Sequence, residues 1–491
     1  MRNRTLAALA LIAIMVAPMA EAQLKVEGPI AQTEASHAFG GAAYTLTPED
    51  LNAQGYVEEE FFVSGTANVY DWPATGAVIR TADAPYTTRV LVRRPKSKGK
   101  FSGRVIVEML NPSNLFDLNI GWALQHKEIV RSGDAWVGIT AKPVAVVTLK
   151  TFDPQRYASI SWKNPLAVDD PKNCAVTGDT TKDTENGLVW DIHTQTANWL
   201  RSADASNPFR YGEKQSRAKR LYGWGYSQTG GFLFTYINAI QPLVIAKQGK
   251  PAFDGYMVAQ LTGPSPISQC AERIPAGDPR RPIRNAVTPV IHIMSQSDYL
   301  GWVASRREDS DKPGDQYRHY DLAGAGHATP DELWFAANSE DIVKGGRTPP
   351  ALMCDQGARS RFPSPIAFNA IYRNLKDWVE KGKAPPPSQN IEVVDAKPVL
   401  DAVGNVKGGV RSPFLDVPTS IWNGNSTGLS FCRIAGHEIP LTPDKLAALY
   451  PSQAAYESAF KKSVDRLVKA RFITKEDGED LKSQAGATKV R

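Results

Sequence analysis

Val105-Ile106-Val107-Glu108-Met109-Leu110 is an almost unbroken apolar run. A central parallel strand, buried on both faces, reads this way. The turn Asn111-Pro112-Ser113-Asn114 ends it, and a moderately amphipathic segment from Leu118 to Arg131 follows, closed by Gly133. Ala135 to Thr140 is apolar again. Strand, helix and strand at this spacing predict a βαβ unit and hence parallel pairing. Upstream, Glu58 to Val69 and Tyr86 to Arg94 read as two early strands, the second ended by Pro95, and Gly28 to Asp50 shows no strong period. Downstream, helices are expected over Leu188 to Leu200 and Thr229 to Ala246, and strands over Arg220 to Gly225, Phe253 to Ala259, Val287 to Met294 and Gln316 to Leu322. From Ile366 to Glu380, residues Ala367, Ile371, Leu375 and Trp378 share one helical face, before Gly382 and Pro385-Pro386-Pro387 stop the helix. The alternation predicts a doubly wound α/β fold with a mostly parallel central sheet and helices on both faces.

Two stretches break the alternation. Residues 143–186 are rich in proline, aspartate and threonine, without a clear period. A long irregular insertion in a compact domain is usually functional or disordered, so a lid-like role over a pocket is expected there, with a solvent-side excursion as the alternative. Beyond the triproline lie short strand candidates from Asn390 to Leu400 and helices near Pro443 to Tyr450, Ser452 to Ala470 and Thr474 to Ala485. Too few apolar strands occur there for a separate core. Residues 386–491 are therefore expected to pack, as a C-terminal extension, on a core spanning 23–385.

The N-terminus adds a compartment. Arg2 and Arg4 precede an apolar run from Leu6 to Val16, and Ala20-Glu21-Ala22 fits the small-x-small cleavage rule. Residues 1–22 read as a signal peptide with Gln23 as the mature start, which implies export to a periplasm or the medium. No second apolar stretch reads as a membrane helix, so no membrane association is expected after cleavage. Export permits disulfides. Cys174, Cys270, Cys354 and Cys432 allow three pairings, and spacing does not choose among them. They lack metal-ligand spacing. The formal net charge of +6 over 491 residues, with no cluster of Lys and Arg interleaved with aromatics, disfavours nucleic acid as a partner.

Candidate chemistry centres on Gly223-Trp224-Gly225-Tyr226-Ser227-Gln228-Thr229-Gly230-Gly231. A strand that turns sharply into a helix at a serine, with small residues where the two approach, has the form of a nucleophile elbow. Thr229 stands where the second glycine of Gly-x-Ser-x-Gly belongs, and Gly230 follows it. A serine hydroxyl needs a base, and the base an orienting acid. Of seven histidines, His327 in Gly324-Ala325-Gly326-His327-Ala328 lies in a glycine-rich loop just past a late strand. Asp298 follows the preceding strand, so the order is serine, acid, histidine. The oxyanion hole is expected to use the N–H of Gln228 and a donor from the Asn111-Pro112-Ser113-Asn114 loop. Pro112 has no N–H, which leaves Asn111, Ser113 or the Asn114 side chain.

These residues together resemble the α/β-hydrolase superfamily, and more narrowly a group of exported bacterial proteins known as alpha/beta hydrolase domain-containing proteins. The resemblance rests on Val107-Glu108-Met109-Leu110-Asn111, Trp136-Val137-Gly138, Gly225-Tyr226-Ser227-Gln228-Thr229-Gly230, Asp298-Tyr299 and Gly326-His327. It continues through Gly408-Gly409-Val410-Arg411, Asp416-Val417-Pro418 and Leu449-Tyr450-Pro451. It covers nearly the whole mature chain, and so implies one integrated unit. It also implies serine hydrolase chemistry without a cofactor or metal. Relatives often carry a glutamate two residues before the aspartate, where this chain has Gln296. The expected activity is hydrolysis of a small-molecule carboxylic ester through Ser227, Asp298 and His327. The alternatives are an acyltransferase on the same triad, or an inactive scaffold that binds a ligand or partner. The sequence leaves substrate and oligomeric state open.

Overall fold

The computed structural model describes residues 24–175, 181–212, 216–284 and 286–490. The signal peptide expected over 1–22, and Gln23 after it, lie outside the described residues.

Ten strands form one sheet. They are β1 (Lys25–Glu27), β2 (Tyr56–Asp71), β3 (Val78–Pro95), β4 (Arg104–Leu110), β5 (Ala135–Thr140), β6 (Arg220–Tyr226), β7 (Gly255–Ala259), β8 (Val290–Ser295), β9 (Ser310–Lys312) and β10 (Asp315–Leu322). Their spatial order is β1-β2-β3-β5-β4-β6-β7-β8-β10-β9. From β5 to β10 every neighbouring pair is parallel, while β1, β2, β3 and β9 join antiparallel at the two edges. The parallel strands are buried throughout or nearly so, as their unbroken apolar runs require. The antiparallel hairpin β2–β3 runs past both ends of its apolar stretch. Its far part from Val78 to Ala84 is largely exposed, so periodicity marks only the buried portion.

Strand β6 shows how the layers form. Side chains alternate across a strand. Tyr222, Trp224 and Tyr226 point one way: Tyr222 meets Tyr372 edge-on at 5.6 Å, on the helix Ser364–Lys381. Gly223 and Gly225 face the other way, toward α4 (Gln228–Thr235), where a Cβ on Gly225 would sit 2.3 Å from the Thr229 carbonyl oxygen. Glycine at 225 is therefore a condition for the strand and helix to meet. On the first face, α1 (Ile120–Arg131) packs against Ser364–Lys381. On the second, Trp190 of α3 (Val189–Arg201) meets Phe232 of α4 at 5.5 Å. The helix behind the elbow continues through a π turn to Gln248. Gln228–Gln248 is long and apolar enough to cross a membrane by composition, a property the sequence reading missed, and it lies mostly buried in the fold.

The insertion after β5 is more regular than its sequence suggests. It opens with α2 (Pro143–Phe152), whose Ala145, Leu149 and Phe152 are buried in the main core. A bridge between Thr87 and Ser161 and a disulfide from Cys174 to Cys270 tie the rest to the body. The C-terminal segment adds bridges from Gln389 to Tyr320 and from Val410 to Leu322, alongside β10. Ile391, Val406, Leu415 and Trp422 enter the main core. Helices Gln453–Lys469 and Lys475–Gln484 enclose a smaller cluster, and Asp477 holds them to the body through Arg131 (2.8 Å) and Asn369 (3.0 Å). A second disulfide joins Cys354 to Cys432.

Candidate active site

The elbow lies where β6 becomes α4. Ser227 has φ 55° and ψ −120°, a backbone state that costs a residue with a side chain about 1–3 kcal/mol. Five contacts hold it there. Its N–H donates to the carbonyl of Ala259 at the end of β7 (2.9 Å), and its carbonyl accepts from Gly231 (3.1 Å). The Thr229 hydroxyl lies 3.1 Å from both the N–H and the carbonyl oxygen of Tyr226. Asn111 Nδ2 donates to that same carbonyl at 2.6 Å. Thr229 in the place of a glycine is thus a staple across the turn. The tight approach falls on Gly230 instead, where a Cβ would be 2.3 Å from the Ala259 carbonyl oxygen.

Asp298 follows β8 and His327 follows β10, and parallel pairing of these strands brings the two loops together. His327 Nδ1 lies 2.9 Å from Asp298 Oδ2, which also accepts a hydrogen bond from Ser295 Oγ at 2.5 Å. Burial drives the imidazole pKa down, but the Asp298 charge and hydrogen bond, with Glu332 adding to them, raise it overall. His327 is 8 % exposed, and its ring meets Tyr226 edge-on at 5.3 Å. The Tyr226 hydroxyl donates to the His327 carbonyl (2.7 Å). Gln296, where relatives often have a glutamate, turns elsewhere: its Oε1 accepts from Gly324 N–H at 2.7 Å. The histidine loop also leans on the C-terminal segment. His327 N–H reaches the Ile434 carbonyl (2.8 Å) and Ser297 Oγ (2.9 Å). A Cβ on Gly326 would fall 2.4 Å from the Ala435 carbonyl oxygen.

Ser227 and His327 face one small pocket of about 30 Å³. Asn111, Ser113 and Asn114 form one wall, Ala328, Glu332, Leu333 and Arg359 another, and Phe431 a third. The expected lid contributes nothing to this lining: no described residue of 143–186 is part of it. Leu149, Phe152, Tyr157, Ile160 and Trp162 of that insertion pack in the main core instead. The outer wall comes from the C-terminal segment, through the loop that Cys432 ties to Cys354.

The oxyanion assignment needs a correction. The N–H of Asn111 donates to Leu118 (3.0 Å) and its Nδ2 holds Tyr226, while the N–H of Ser113 donates to Asn111 Oδ1 (2.8 Å). Asn111 therefore shapes the elbow, and neither backbone donor is open. Gln228 begins α4, so its N–H has no partner within the helix. Ser113 and Asn114 of that loop both line the pocket.

Glu332 and Arg359 were not foreseen as site residues. Burial pushes the Glu332 carboxyl up to about 8, with His327 and Arg359 pulling against it. Burial also pushes the neighbouring Asp331 up to about 7. Nothing local in the sequence separates these charges from solvated ones. His292 and His319, read as structural, form a buried pair at 2.9 Å, with His319 bound to Asp321. Among the described residues, no three His, Cys, Asp or Glu side chains gather to hold a metal ion.

A mostly parallel, doubly wound sheet with a serine elbow after its central strand defines the class of α/β hydrolases. The chain belongs to the family described as "alpha/beta hydrolase domain", whose model matches residues 26–483. No curated protein matches it significantly. Among solved structures, esterases from the fungus Rhizomucor miehei align at 10% identity over 70% of this chain and 87% of theirs, with a TM-score of 0.32. Est1E from Butyrivibrio proteoclasticus aligns at 9% identity over 53% of this chain and 91% of its own, with a TM-score of 0.26.

Proposed function

We propose that the protein is an exported serine hydrolase that cleaves small carboxylic esters through an acyl-enzyme. The observation that carries this reading is the 2.9 Å contact between His327 Nδ1 and Asp298, made beside a pocket that also holds Ser227 on its strained turn. With Nδ1–H donated to the aspartate, Nε2 is the free base. It takes the proton of Ser227 as Oγ attacks the ester carbonyl. The N–H of Gln228 and a donor of Ser113 or Asn114 stabilise the oxyanion. His327 returns its proton to the leaving alcohol. A water then repeats the sequence and frees the acid. The two disulfides support an oxidising compartment, in keeping with the leader read over 1–22. The bridges from the C-terminal segment to β10 support one integrated unit.

The test is labelling of the mature chain with a fluorophosphonate beside Ser227→Ala, with the modified peptide read by mass spectrometry. Label on Ser227, absent from the variant, is the expected result. A folded wild-type protein that takes no label refutes the triad. Product analysis with an added alcohol separates hydrolysis from acyl transfer.

A further inference from the structure

Two nitrogens of a buried guanidinium are unsatisfied at this site. Arg359 follows the Met353–Ala358 hairpin and is 2 % exposed. Its Nη1 donates to the Ala328 carbonyl at 3.1 Å. Nε and Nη2 are buried with no hydrogen-bond partner. The same side chain lines the pocket that Ser227 and His327 share. Buried donors are normally paired, and a guanidinium does not escape by losing its proton. Nε and Nη2 form one edge of the planar fork, the edge that meets both oxygens of a carboxylate at once.

The charges around Arg359 do not cancel it. Glu332 is the acidic group whose field reaches it, yet among the described residues no carboxylate makes an ion pair with Arg359. His327 and Asp331 act on Glu332 rather than on the fork. With its carboxyl up at about 8, Glu332 is largely protonated at neutral pH, and can itself donate to an anion. An acidic ligand would satisfy both groups. A neutral one would leave the fork as it is.

Resting on the reading of this site as an ester hydrolase, we propose that its substrates are acidic esters, and that Arg359 binds the substrate carboxylate through Nε and Nη2. The acid is thereby told from its neutral analogue by an interaction the neutral one cannot make.

Matched pairs test this. The hexanoate and the hydrogen adipate of 4-methylumbelliferone differ by a carboxylate on the acyl side. The butanoates of methyl 4-hydroxybenzoate and of 4-hydroxybenzoic acid differ by one on the alcohol side. In at least one pair the acid is expected to have the higher kcat/KM, by about tenfold or more. Arg359→Met is expected to abolish that ratio, and Arg359→Lys to keep part of it. A wild type that favours the neutral ester in both pairs overturns the proposal, as does a ratio that survives Arg359→Met. A binding arm stands apart from turnover. In Ser227→Ala, sodium adipate but not 1,6-hexanediol is expected to raise the melting temperature, and adding Arg359→Lys to diminish the rise. Stabilisation by adipate without hydrolysis of any ester keeps the carboxylate site and refutes the hydrolase. Hydrolysis of neutral esters with neither an acid preference nor an adipate effect does the reverse.

Discussion

Gly230→Ala tests whether backbone contact at the elbow sets the nucleophile. The added Cβ would stand 2.3 Å from the Ala259 carbonyl oxygen, whereas ordinary contact begins at 3.4 Å. One side must therefore yield by about 1 Å, a clash of the kind that costs about 1–3 kcal/mol in a packed interior. Neither side is a flexible side chain. The Ala259 carbonyl also accepts the Ser227 N–H at 2.9 Å, so moving it moves the serine. Moving α4 instead displaces the Gln228 N–H from the oxyanion. A misplacement of about 1 Å can cost about 100-fold in rate. The assay is the second-order rate of fluorophosphonate labelling, read beside the thermal unfolding midpoint. Gly99→Ala is the control, since a Cβ there meets nothing within 4 Å. Labelling of Gly230→Ala within about threefold of wild type, with an unchanged midpoint, refutes the reasoning from close approach.

Other perturbations reach the site from different sides. Asp298→Asn is expected to lower kcat/KM by about 10³–10⁴-fold, because the histidine loses both its tautomer and the charge that stabilises its protonated form; steady-state kinetics on any accepted ester measures it. The base must be neutral to act, so activity falls as pH drops through the raised His327 pKa, and the acid limb of the pH–rate profile measures it. Glu332 holds its proton in the folded state up to about 8 but near 4.5 when unfolded, so its contribution to stability falls as pH rises across that window, and Glu332→Gln is expected to flatten the decline in urea unfolding series. Cys354→Ser is expected to cost about 4.5 kcal/mol, by chain entropy for a loop of 78 residues, and to slow labelling as Phe431 loses its anchor; denaturant unfolding and labelling rates check the two effects.

Local chemistry explains what could be read in advance. The parallel core was legible because strands buried on both faces must be apolar along their length: β5 lies at Ala135–Thr140, where the pattern sets it, and β10 begins one residue before its expected start at Gln316. The elbow was legible because a strand meeting a helix leaves no room for a Cβ at Gly225. Helix α2 was hidden by the irregular sequence around it, although Val144, Ala145 and Leu149 are core residues. The oxyanion loop misled because a side chain's competing bond cannot be read from its neighbours, and Asn111 spends its amide on Tyr226. Arg359, Glu332 and Phe431 went unseen for a related reason. Their places depend on contacts across long stretches of chain, and a charged residue reads the same whether it becomes buried or stays in water. Cysteine pairing was open on the same ground, and the structure joins Cys174 to Cys270 and Cys354 to Cys432.

The wall that Phe431 supplies has a consequence in time. Synthesis runs from the N-terminus, so Ser227, Asp298 and His327 all emerge from the ribosome before Phe431 does, the last of them by about 5–20 s at ordinary elongation rates. The carbonyl of Ile434 that supports the histidine loop comes later still. Closure of the Cys354–Cys432 bond then needs an oxidant, which the cytosol of most cells withholds. In an exported chain the reactive residues are thus made in one compartment and finished in another.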